Sequence, residues 1–91
     1  MAIEDVKGYK PHTDEKIKTV NRIKSLEIEL GKLFTEIETE LSDQYSKAYN
    51  EDVKVLDTLM DRVHQVSTAK DRLKEASMWA CRAVFQPEES Y

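Results

Sequence analysis

Residues 17–41 read IKTVNRIKSLEIELGKLFTEIETEL, and this stretch decides the fold. From Val20 the apolar positions are Ile23, Leu26, Leu30, Leu33, Ile37 and Leu41, at steps of three, three, four, three, four and four. Strands repeat every two residues; this spacing is that of a helix laying one apolar stripe against a partner, close to a coiled-coil seam. Ile28 and Phe34 fall beside the stripe and widen it, so the helix has more than one apolar edge. Gly31 sits inside the pattern where no turn is needed, at a cost of about 1 kcal/mol against Ala. Close packing of a facing helix is the favoured reason; the approach of a ligand or a second backbone is the other.

Upstream, Thr13 is placed to cap this helix, and Asp14 and Glu15 complement the positive end of its dipole. Gly8 and Pro11 interrupt helical geometry before that point, so residues 1–12 form an arm carrying Tyr9 and His12. The first helix is expected over 13–41. Ser42 to Asn50 breaks the stripe with polar residues and reads as the connection, 42–50. Asn50 could cap the next helix, with Glu51 and Asp52 in its first turn. That helix, 51–86, carries Val53, Leu56, Leu59, Met60, Val63, Val66, Ala69, Leu73, Ala76, Ala80, Ala83 and Val84 before Pro87 stops it. Its first half offers large aliphatics and its second half alanines, which let another helix come close. Residues 87–91 are a polar tail.

Composition agrees. The chain of 91 residues is 35% charged and 40% hydrophobic, with 2 Gly and 2 Pro, which favours long helices over a many-turned sheet. The expectation is an all-α antiparallel hairpin in a single small domain. Such a hairpin leaves Ile28, Phe34, Met78 or Trp79 partly uncovered, and self-association into a helical bundle is the economical remedy. Net charge −4 argues against duplex nucleic acid as a partner, while a small anion held by a few chosen cations stays possible. Cys81 is the one cysteine and reads as a small packed hydrophobe. No apolar run approaches membrane-spanning length and the N-terminus lacks a signal-peptide core, so a cytosolic protein without membrane attachment is expected.

No phosphate loop, nucleophile elbow or metalloprotease helix is present, so an enzyme is not expected and no cofactor is implied. His64 follows Asp57 and Asp61 on one helix face, a spacing that could hold a metal but is common on solvated faces. No metal site is assigned. Lys24 lies beside the buried edge formed by Ile17, Val20 and Ile23. It can run its methylenes along the apolar flank and set its ammonium at the rim, and periodicity by itself favours that ordinary role. Lys18 and Arg22 read as solvated charges able to pair with Glu15 and Glu29. Tyr9 by itself reads as a packing residue of the arm, although an aromatic and a lysine together can grip a nucleotide by stacking and charge.

Several short motifs are familiar in this order: Gly8-Tyr9, Asn21-Arg22-Ile23-Lys24, Gly31, Ala69-Lys70-Asp71-Arg72-Leu73, and Met78-Trp79-Ala80-Cys81-Arg82-Ala83-Val84-Phe85-Gln86-Pro87. Together they resemble the small phage anti-CBASS sponge proteins of the second type, most closely those of T-even-like phages, over about residues 8–87. The resemblance implies hexameric helical proteins in the cytoplasm of the infected bacterium. These bind cyclic dinucleotides such as cGAMP and hold them without cleavage, so that the CBASS effector stays silent. It further implies a pocket between protomers, where Tyr9 stacks on a base and Lys24 meets the phosphates. Pro11, His12 and Gly31 are the further ligand-contact candidates, His12 being able to donate to a phosphate or simply to stand exposed. Some family members take cyclic trinucleotides at a second site through an arginine. Lys70 stands at the matching position, and lysine lacks the planar fork of arginine, which puts that site in doubt here. A helical adaptor or structural protein that binds another protein through its apolar edges remains the alternative.

Overall fold

The computed structural model describes residues 13–86. Two helices fill it, α1 (Asp14–Lys47) and α2 (Val53–Phe85). Thr13 caps α1 as expected: its backbone is extended, and its hydroxyl accepts from the Lys16 amide at 3.2 Å. Asp14 and Glu15 follow in the first turn, and Lys47 closes the last, each favourable for the helix dipole.

The first helix does not stop at Leu41. It continues through Ser42–Lys47, so most of the expected 42–50 connection is helical. Leu41 is buried, and Tyr45 and Ala48 carry the inward stripe on at steps of four and three. Tertiary packing of these three overrides the weak helix propensity of the polar residues between them. The true connection is the short span 48–52. Ala48 donates its amide to the Gln44 carbonyl at 2.9 Å, and Glu51 donates to Ala48 at 2.8 Å, closing a tight turn. Asp52, rather than Asn50, caps α2: its carboxylate accepts from the Lys54 amide at 2.9 Å. The second helix ends at Phe85 with Gln86 in the left-handed region at φ 48°, one residue before Pro87.

The two helices run antiparallel. Glu27 meets Ser77, Gly31 meets Leu73 and Glu38 meets Lys70, so numbers rise along one helix as they fall along the other. The seam between them departs from the sequence expectation. On α1 the inward line is Val20, Ile23, Glu27, Gly31, Phe34, Ile37, Glu38, Leu41 and Tyr45. Leu26, Leu30 and Leu33, expected in the seam, stay 59%, 40% and 48% exposed. An apolar surface wider than one partner can cover must leave one edge outside. Here the hairpin takes the Phe34 edge and leaves the leucine edge open. Ile28, Met78 and Trp79 are exposed and Phe34 is half-buried, so all four are partly uncovered as expected.

Among the described residues, Val20, Leu41 and Leu59 are the buried hydrophobics. That is a thin core for two long helices. The seam is braced by polar contacts instead. Lys70 reaches across to Glu38 at 3.2 Å, and the Ser77 hydroxyl donates to the Glu27 carboxylate at 2.5 Å. On the outer surface of α2, Arg72 pairs with Glu75 at 2.8 Å and Arg82 lies 6.0 Å from the Trp79 ring centre. The expected pairing of Lys18 and Arg22 with Glu15 and Glu29 is not formed; all four carry no ion pair among the described residues.

Candidate functional site

Of the five residues singled out for ligand contact, Lys24 and Gly31 lie in the described region. Tyr9, Pro11 and His12 lie outside the described residues. Lys24 is on α1, exposed, and without an ion pair among the described residues. Gly31 follows seven positions later. Seven residues are almost two full turns, so the two positions share one side of the helix to within about 20°.

Gly31 forms part of the floor of an open groove of about 540 Å³ between the helices, bordered by Glu27, Ile28, Lys32, Lys70, Leu73 and Lys74. Lys24 stands one turn beyond its Glu27 and Ile28 end. The seam is not tight at this point. A Cβ placed there would meet Leu73 Cδ2 at 3.8 Å, an ordinary contact. Packing within the hairpin, the favoured reason for Gly31, therefore does not require glycine. Thr35 donates its hydroxyl to the Gly31 carbonyl at 2.9 Å, which settles the polar edge of the groove.

Lys32 and Lys74 carry no ion pair among the described residues, and with the carboxylates of Glu27 and Glu36 on the same groove they give this side of the hairpin a rim of mixed charge. Lys70 is different. It is half-buried and engaged by Glu38, so it acts as a cross-brace of the hairpin. A larger open groove of about 640 Å³ lies at the turn end, bordered by Gln44, Lys47, Lys54, Val55, Thr58 and Arg62. A third, of about 450 Å³, lies on the outer side of α1 at Lys18, Asn21, Arg22, Ser25 and Leu26. His64 is exposed, and among the described residues no three His, Cys, Asp or Glu side chains cluster as metal ligands do. Cys81 is half-buried on the inward side of α2.

Two residues of this region escaped sequence reasoning. Ser77 occupies a seam position between Leu73 and Ala80, at steps of four and three, and is the one buried polar residue among those described. Glu27 faces it from α1. The signal was available: a serine and a glutamate each interrupt an otherwise apolar helical line, at levels that face each other once the hairpin is antiparallel.

Fold and groove together define the class, an all-α two-helix hairpin with an open groove of mixed charge beside its seam. A family model of the Acb2/Tad1 hairpin domain matches residues 1–85. Anti-CBASS protein 2 of Enterobacteria phage T4 is 52% identical over 91 residues, covering 98% of this chain and 99% of that protein. The chain belongs to the Acb2/Tad1 hairpin family.

Proposed function

We propose that this protein counters CBASS immunity in the infected bacterium by binding cyclic dinucleotide signals such as cGAMP and holding them uncleaved in the host cytoplasm. The near full-length similarity to a phage protein named for anti-CBASS action supports the anti-immune part of this reading. One structural observation carries the binding part: Lys24 is an exposed cation, without an ion pair among the described residues, on the same side of α1 as the Gly31 groove. A cyclic dinucleotide has two phosphates and two bases with near two-fold symmetry. An isologous interface offers Lys24 twice to the phosphates and Tyr9 twice to the bases. Each stacked base contributes of order 1–3 kcal/mol. Sequestration needs affinity and abundance but no catalytic group.

Assembly belongs to the same reading. The exposed Leu26, Leu30 and Leu33 edge needs cover, and a second copy in a homo-oligomer, a hexamer in the family pattern, supplies it. That uncovered edge also favours a second reading, an adaptor that docks another protein through it. Calorimetry with 3′,3′-linked cyclic dinucleotides separates the two: saturable heat, lost in Tyr9→Ala and Lys24→Ala variants of unchanged oligomeric state, is expected of the sponge. Intact dinucleotide should be recovered after the loaded protein is denatured; linear product would indicate a hydrolase instead.

A further inference from the structure

We infer that Ser77 is a positioning residue for Lys24, acting through Glu27. This rests on the reading above, in which Lys24 meets a phosphate. On an exposed helix, a Lys and a Glu three positions apart are neighbours within reach of each other. Lys24 and Glu27 stand in that relation, and Lys74 borders the same groove as Glu27. Yet Glu27 pairs with neither lysine. Its carboxylate is turned inward, where the Ser77 hydroxyl donates to it at 2.5 Å. A hydroxyl bonded to a carboxylate is a strong, short contact, and this one is shielded: Ser77 is 6% exposed and Glu27 half-buried.

The placement is informative because α2 uses alanine freely along this half, at Ala69, Ala76, Ala80 and Ala83. A buried hydroxyl is costly unless bonded, so an alanine would fill position 77 more simply if packing were the whole matter. What the hydroxyl adds is capture of the Glu27 carboxylate. With that carboxylate held in the seam, the Lys24 ammonium stays unpaired at the rim. A phosphate then meets it without first displacing a bound carboxylate. In Ser77→Ala the carboxylate loses its inward donor and turns to Lys24, its nearest cation along the helix.

The test combines ligand affinity with a ligand-free structure. Ser77→Ala should weaken 3′,3′-cyclic GMP–AMP binding by about two- to five-fold, the scale of a partly exposed ion pair that must now be broken. Adding Glu27→Gln to Ser77→Ala should restore affinity, because the amide carries no charge to offer Lys24. In a Lys24→Ala background, Ser77→Ala should have no further effect, which a merely structural role of the hydroxyl would not produce. The unliganded crystal structure of the Ser77→Ala variant should place a Glu27 oxygen within about 4 Å of Lys24 Nζ. A carboxylate that keeps its inward position there overturns the inference whether or not any dinucleotide binds. So does equal weakening with and without Lys24, or failure of Glu27→Gln to restore affinity in the Ser77→Ala background. If wild-type protein takes up no dinucleotide, the sponge reading falls, and the crystal structure still decides where Ser77 holds Glu27.

Discussion

Lys24 and Gly31 show how one helix can carry two different kinds of candidate residue. Lys24 is exposed and has little to do in holding the protomer together, so Lys24→Ala should leave thermal stability within about 0.5 kcal/mol of wild type. The same change should reduce dinucleotide affinity at least about tenfold, because a hydrogen bond to a charged group contributes of order 1.5–3 kcal/mol. Calorimetry beside a melting curve separates the two effects. Gly31→Ala should behave in the opposite way. The added methyl finds ordinary contact distance to Leu73, so the protomer should gain about 1 kcal/mol from the better helix former. If ligand or a neighbouring protomer uses the space above Gly31, binding or assembly should fall while stability rises. Chemical denaturation read against ligand titration distinguishes these outcomes. Periodicity put Lys24 beside the buried edge and Gly31 inside the helix, and resemblance alone made them ligand-contact candidates. Ser77 and Glu27 were not legible, because their roles exist only once the two helices face each other.

At the scale of the element, the turn and the seam are where prediction and structure differ most. The helix start at Thr13 was readable because capping is local: one hydroxyl and the amides of the next turn suffice. The end of α1 was not, because nothing local holds residues 42–47 helical. Leu41, Tyr45 and Ala48 do so by packing on α2. Removing that anchor should therefore shorten the helix. Leu41→Ala is expected to cost about 2–5 kcal/mol and to reduce helical circular dichroism, since Leu41 is 4% exposed. Asp52→Ala removes the side chain that accepts from the Lys54 amide and should cost about 1 kcal/mol, with little effect on ligand affinity. Lys70→Ala breaks the half-exposed pair with Glu38 and should cost no more than about 1 kcal/mol.

The whole molecule is a hairpin with more apolar surface than its own seam can bury. Leu26, Leu30 and Leu33 lie along one open edge, while Lys24 and Gly31 lie toward the other. A charge on the open edge should therefore disturb assembly first. Leu30→Glu is expected to lower the oligomeric mass seen by light scattering while α-helical content persists. Ile28→Glu, on the groove side, should leave that mass higher than Leu30→Glu does. The opposite ranking would place the assembly contact on the groove side.

The sequence by itself determined two long helices, their antiparallel pairing, the Thr13 cap, the surplus of apolar surface and the family to which the chain belongs. Each follows from spacing along one chain, short-range chemistry, or residue order. Only the tertiary structure decided which of two apolar edges enters the seam, where the turn falls, and that Lys70 braces Glu38 while Ser77 holds Glu27. The reason is geometric. An α1 stripe this wide fits a partner in more than one rotation. The choice is made by the summed contacts of both helices, with Phe34 and Gly31 turned in and the leucines turned out. That rotation places Glu27 against Ser77 and leaves Lys24 standing open at the rim.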